Sequence, residues 1–194
     1  MRIVLARHGK PSCLPMDRVA PRDIGKWIEA YNEAGVTLDG VPPQTIEAAR
    51  SSGLVVASTL QRSAHSAQCL VAGQTFLVEH VFCEAELPYP GWHFPKLPAS
   101  VWVAIFRVAW FLGYAANAES IETATARARA GAERLIQLAE ENDSVFLVGH
   151  GIMTALIAKQ LLALGWIGPA RPSHGYWQFS TYHAAALELG GCSA

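Results

Sequence analysis

Two histidines far apart in the chain stand in the same local setting. His8 follows the apolar run Ile3-Val4-Leu5-Ala6 and Arg7 and precedes Gly9; His150 follows Val145-Phe146-Leu147-Val148-Gly149 and precedes Gly151. A neutral imidazole nitrogen is a competent nucleophile toward phosphorus. Arg7, next to His8, can grip an anion with its planar fork. Arg62, in Ser58-Thr59-Leu60-Gln61-Arg62, is expected in the first turn of a helix, where backbone N–H groups also favour anions. Two guanidiniums and two imidazoles around one point suit a phosphoryl group, whose charge is spread over three oxygens. The dipeptide His174-Gly175 serves as a control, because it lies in a Pro/Ser-rich loop with no apolar run before it.

Bringing these residues together requires strands that end at one rim. Short apolar or β-branched runs predict strands at Ile3–Ala6, Leu54–Ala57, Val78–Phe82 and Val145–Val148, with a weaker one at Ala184–Leu189. Helical periodicity predicts helices at 23–34, 43–51, 60–72, 98–113, 120–142 and 152–164, with Ser120 as the N-cap of the fifth. The strands lack polar alternation, so the expected fold class is α/β, a three-layer α/β/α sandwich with a mostly parallel sheet covered on both faces. Ligands of such sheets bind beyond the carboxyl ends of the strands, which is where both histidines fall.

Composition limits the partners. Of 194 residues, 51% are hydrophobic and 16% charged, enough for a sizeable core, and the formal charge of −1 provides no global field for nucleic acid or an anionic membrane. The most apolar stretch, Ala99 to Tyr114, is interrupted by Arg107 and is too short to span a bilayer. Cys13, Cys69, Cys83 and Cys192 are too scattered for a metal knuckle and too few for a disulfide scaffold, so reduced thiols and a cytoplasmic location are expected. One domain over 1–194 is expected, with residues 87–119 as a small helical cap insert: Leu87 to Pro98 carries four prolines, and Trp102, Phe106 and Trp110 follow at helical spacing. That stripe reads either as a core helix or as a lid or association face, which leaves a homo-oligomer open.

Arg-His-Gly near the start, Ser-Thr-Leu-Gln-Arg after the second strand, an acidic residue after the third and Gly-His-Gly after the fourth together resemble the histidine phosphatase superfamily, the phosphoglycerate mutase-like enzymes, in its phosphatase branch. The resemblance runs in order along essentially the whole chain. It implies that His8 is the nucleophile that becomes phosphohistidine, and that Arg7, Arg62 and His150 line the phosphate pocket. His150 would add to the positive charge if protonated. No metal and no organic cofactor are implied, and the partner is a small phosphorylated substrate. The family pattern of an apolar residue, any residue, then Glu fits Phe82-Cys83-Glu84, which favours Glu84 as proton donor, with Glu86 as the substitute; Glu79 reads as structural.

Among the remaining residues, Trp92 and His93 are the candidates for substrate selection. His65 reads as a partly exposed helix residue, and Asp17, Arg18, Arg22 and Asp23 read as surface residues, with a part in substrate selection as the alternative. Lys10 departs from the acidic residue or glutamine of many relatives, which weakens any borrowed substrate. The expected activity is metal-independent hydrolysis of a phosphomonoester or a related phosphoryl compound. The alternatives are mutase-type phosphoryl transfer, a phosphohistidine-protein phosphatase and a non-catalytic phospho-ligand binder.

Overall fold

The β-branched and aliphatic run at the start of the chain forms strand β1 (Arg2–Arg7), and its alternation divides the core in two. Ile3 and Leu5 point to one face of the sheet; Val4 and Ala6 point to the other. The computed structural model describes residues 1–12, 18–37 and 39–185. Further strands are β2 (Arg18–Val19), β3 (Leu54–Ala57), β4 (Leu77–Val78), β5 (Leu97–Pro98), β6 (Ser144–Gly149) and β7 (Phe179–His183). The helices are α1 (Ile24–Glu33), α2 (Pro43–Arg50), α3 (Gln61–Val71), α4 (Ala99–Phe111), α5 (Ile121–Asn142) and α6 (Gly151–Ala163).

Five strands form one sheet in the order β4-β3-β6-β1-β7, all parallel except β7, which runs antiparallel to β1. Helices α5 and α6 cover the Ile3 and Leu5 face with Ala124, Ala128, Ala132, Leu135, Met153 and Ile157. Helices α2 and α3 cover the other face with Ala49, Ala67, Leu70 and Val71. This is the expected α/β/α sandwich. Ser120 caps α5 by accepting from the Thr123 N–H at 3.2 Å.

Two strands differ from expectation. The third stops at Val78 and the chain turns through a 3-10 segment, His80–Phe82. The Glu79 side chain pairs with Arg134 at 2.8 Å, while Phe82 turns fully into the core beside Gly131. Burial of that ring competes with continuation of an edge strand. The last strand lies earlier than expected, at Phe179–His183, because Tyr182 is the residue buried opposite Ile3. Ala184 and Ala185 lie beyond it, and 186–189, like Cys13, Asp17 and Cys192, fall outside the described residues.

A second, smaller core lies beside the main one. Trp102 and Phe106 of α4 stack at 5.0 Å and pack with Leu87, Val19 and Ile24. Trp27, Ile28, Tyr89 and Val103 border it. Residues from 87–119 therefore share this core with α1 and its approach, and β5 pairs with β2. The aromatic stripe faces inward: Trp102 Nε1 donates to the Val19 carbonyl and Trp110 Nε1 to that of Glu119. The opposite face of α4 exposes Val101, Ile105, Val108 and Phe111. Among the described residues, no helix is long and apolar enough to cross a membrane.

Candidate active site

Register brings the two histidines together. Arg7 is paired with Gly149 across the parallel β1–β6 ladder, so the next residues, His8 and His150, leave the sheet side by side. Their ring centroids are 5.0 Å apart. Ala57 is paired with Val148 on the other side of β6, which places Ser58 level with the same rim. The loop after β1 is clamped: the Gly9 N–H donates to Ser66 Oγ at 2.9 Å, and Ser66 Oγ donates to the Arg62 carbonyl. Trp177 lies so close to Gly9 that a Cβ there would stand 2.1 Å from its ring, so no other residue fits after His8 without displacing the indole.

The protonation pattern follows from the partners. His8 is 2% exposed, and its Nδ1 lies 2.7 Å from the Gly9 carbonyl, an acceptor only. Nδ1 therefore carries the proton, and Nε2 keeps its lone pair. Burial and then the positive charge of Arg62 push the His8 pKa down to about 3, so the ring is neutral and nucleophilic at pH 7. His150 is wholly buried, and burial, followed by Arg62 and His8, holds its pKa well below the ordinary value. It is therefore neutral, so the protonation on which its added charge depended is not met. Ser58 Oγ lies 2.6 Å from His150 Nε2 and accepts from the Leu60 N–H. When the hydroxyl gives its own proton to Nε2, the neutral ring carries its proton on Nδ1 and is a donor there.

Five buried side-chain atoms among the described residues have no partner within the protein: Arg7 Nε, Arg62 Nε and His150 Nδ1, which belong to the charged and imidazole groups around His8, and Thr154 Oγ1 and Trp177 Nε1. Buried N–H groups left unpaired are costly and therefore rare, and a phosphoryl group with several acceptor oxygens matches three of them. Each guanidinium also lies on a tyrosine ring: Arg7 on Tyr176 at 4.4 Å and Arg62 on Tyr31 at 4.6 Å. Arg62 further donates to the Tyr31 carbonyl and to Asn32 Oδ1. Burial and the neighbouring Tyr176 hydroxyl push the Tyr31 pKa up to about 12, so it is a neutral phenol.

Glu84 and Glu86 occupy different environments, because strand geometry does not persist past β4. Glu84 reaches the start of α6, where Oε1 accepts from the N–H groups of Ala85, Ile152 and Met153 at 3.0, 3.1 and 2.9 Å. Its Oε2 has one longer contact, 3.3 Å to Ile152. Gly151 puts no side chain between this oxygen and Arg7: a Cβ there would stand 3.7 Å from Oε2 and 3.9 Å from the Arg7 guanidinium carbon. Two arginines hold the irregular segment that carries Glu84. Arg127 donates to the Val81 and Cys83 carbonyls at 3.0 and 2.7 Å, and Arg107 to those of Ala85 and Glu86 at 2.8 and 3.1 Å. Glu86 is exposed and ties back to Glu119.

These groups open into a cavity of about 850 Å³, lined by Arg7, His8, Arg62 and Glu84 and walled by α1, α4 and Tyr89. The structure thus gathers Arg7, His8, Arg62, Glu84 and His150. It does not bring Trp92 or His93 to the cavity; both are exposed, Trp92 at 62%, and the wall is made instead by Trp27, Tyr31 and Tyr89. His65 is half-buried and accepts from the Val36 N–H. Missed at first were Ser58, Tyr31, Arg107, Arg127 and Tyr176. Ser58 belongs to a strand end that was already marked, and His174, the control, lines the cavity while its carbonyl accepts from Arg7. Among the described residues, no group of three or more His, Cys, Asp or Glu is placed to hold a metal ion, and Cys69 and Cys83 are free thiols.

Burial of two neutral histidines has a measurable consequence. Unfolded, each binds a proton near the ordinary 6.5; folded, each resists it. Their contribution to stability is complete above that value and is lost as the pH falls below it, for His8 down to about 3, with a slope of about 1.4 kcal/mol per pH unit for each ring within its window. Urea midpoints are expected to fall between pH 7 and pH 5, largely above the carboxylate range. A flat profile there contradicts the neutral assignment.

The family model of the histidine phosphatase superfamily (branch 1) matches residues 33–185, a span that contains Arg62, Glu84 and His150 but begins after His8. No curated protein matches the chain significantly. Among solved structures, the chain is similar to the product of an open reading frame of Mycobacterium tuberculosis, with 15% identity, 96% of this chain and 92% of that one covered, and a TM-score of 0.61. It is also similar to a mycobacterial glucosyl-3-phosphoglycerate phosphatase in complex with VO3, at 23% identity, 93% and 91% coverage and a TM-score of 0.60. A phosphoserine phosphatase of Entamoeba histolytica in complex with phosphoserine follows at 16% identity, 93% and 89% coverage and a TM-score of 0.57. At these identities the likeness is one of fold.

Proposed function

The chain belongs to the histidine phosphatase superfamily, branch 1, and from its site we propose that it is a phosphatase that hydrolyses a phosphomonoester through phosphohistidine on His8, without a metal ion. The observation that carries this reading is the neutral His8 with Nδ1 tied down and Nε2 free, faced by the three unpaired donors of Arg7, Arg62 and His150. Nε2 attacks phosphorus and forms the N–P bond while the bond to the substrate oxygen breaks. The arginines and the neutral His150 N–H stabilise charge on the equatorial oxygens. Glu84, through Oε2, gives its proton to the departing alkoxide and then takes one from the water that attacks phosphohistidine. Phosphate leaves and His8 is regenerated. Alkaline quenching after mixing with labelled ester is expected to trap an acid-labile, alkali-stable phosphoramidate on the protein. Turnover with no such adduct, even under single-turnover conditions, overturns the covalent route.

Glu84→Gln preserves an oxygen for the Ile152 and Met153 N–H groups and removes only the proton. It is expected to lower the rate about 10²–10⁴-fold on an alkyl phosphate and far less on p-nitrophenyl phosphate, whose leaving group needs little protonation. Equal losses on both esters, or a larger loss from Glu86→Gln, assign the proton elsewhere.

A further inference from the structure

The wall of the cavity has a pattern that its phosphate end does not require. From Arg62 an aromatic run leads outward: the guanidinium lies on Tyr31 at 4.6 Å, and Tyr31 stacks on Trp27 at 5.0 Å with 21° between the rings. Tyr89 lies against the same helix, its hydroxyl only 2.6 Å from where a Cβ on Gly25 would stand. Ile28, Leu87 and Val103 complete an apolar lining.

The charges on this wall point the same way. The lining arginines other than Arg7 and Arg62 are Arg107 and Arg127. Arg107 is committed to the Ala85 and Glu86 carbonyls, and Arg127 to Glu119 and to the carbonyls of Val81 and Cys83. Glu29, Glu86 and Glu119 also line the cavity. Among the described residues, then, the wall offers no uncommitted guanidinium to a second anionic group, and the carboxylates of Glu29 and Glu86, which no salt bridge neutralises, repel one.

Building on the phosphatase reading above, we propose that the substrate is the phosphomonoester of a bulky, uncharged alcohol with an aromatic or polycyclic apolar body, which lies along Tyr31 and Trp27, and that esters bearing a second carboxylate or phosphate are rejected. The cavity volume, about 850 Å³, is that of a drug-sized ligand site and far exceeds one phosphate.

Steady-state kinetics on the unaltered protein tests this with three alkyl esters, 2-naphthylmethyl phosphate, glycerol 3-phosphate and 3-phosphoglycerate, alongside p-nitrophenyl phosphate. The naphthylmethyl ester is expected to exceed glycerol 3-phosphate in kcat/KM by about 10²-fold, with 3-phosphoglycerate lowest. Trp27→Ala should lower kcat/KM for the naphthylmethyl ester about tenfold more than for glycerol 3-phosphate. The ester series stands without the variant if that variant does not fold. Hydrolysis of p-nitrophenyl phosphate with glycerol 3-phosphate or 3-phosphoglycerate equal to or better than the naphthylmethyl ester overturns this inference alone. No hydrolysis of any of the four overturns the phosphatase reading with it.

Discussion

His8→Ala is expected to abolish turnover of every phosphate ester, a loss of about 10⁴-fold or more, and to leave no phosphoryl-enzyme. The size of the effect follows from the absence of a substitute. The imidazole beside it, His150, has its Nε2 engaged by Ser58 and does not line the cavity, so it is not placed to attack in its stead. Packing is not the cause of the loss, because alanine leaves the Gly9–Trp177 contact and the Gly9–Ser66 hydrogen bond in place. The variant should retain phosphate affinity through Arg7 and Arg62, measurable by titration calorimetry. Retention of more than a hundredth of the activity refutes the nucleophile assignment.

Arg62→Lys should lower kcat/KM by about 10²–10³-fold, although the charge is conserved. Arg62 is 3% exposed, lies flat on Tyr31, anchors on Asn32 Oδ1 and keeps Nε for the substrate. An ammonium supplies neither the fork nor the stacked plane. Arg62→Gln should do more, since, after burial, the Arg62 charge does most to lower the His8 pKa. Removing it lets His8 rise toward its ordinary value and moves the acid limb of the pH–rate profile upward. A threefold loss or less for the lysine variant, with an unmoved acid limb for the glutamine variant, contradicts this role.

The parts of the molecule legible in the sequence were those in which one face or one strand end decides the outcome. Ile3 to Ala6 and Val145 to Val148 are apolar on both faces, so they could only be buried parallel strands, and their ends placed His8 and His150. The helices were legible from period, and Ser120 from its cap. The end of the third strand was not, because Val78, Val81 and Phe82 around Glu79 and His80 suit a short strand as well as a turn, and only the tertiary gain from burying Phe82 decides against an edge strand. The cavity wall was illegible for a similar reason. Trp27 and Tyr31 are four apart on one helix, and nothing local reveals that α1 turns this face toward the residues after β3. Trp92 and His93 stood out by type alone, and type does not report exposure.

The order β4-β3-β6-β1-β7 also sets a timetable for synthesis. β1 is made first yet sits between two of the last strands to emerge, so its backbone has no partner on either edge until Ser144 to Gly149 and Phe179 to His183 have left the ribosome. At about 5–20 residues per second that wait is on the order of ten seconds. Throughout it, Ile3-Val4-Leu5-Ala6 is an uncovered sticky segment of the kind that chaperones bind. His8, at its end, is therefore made before every helix and every later strand that encloses it.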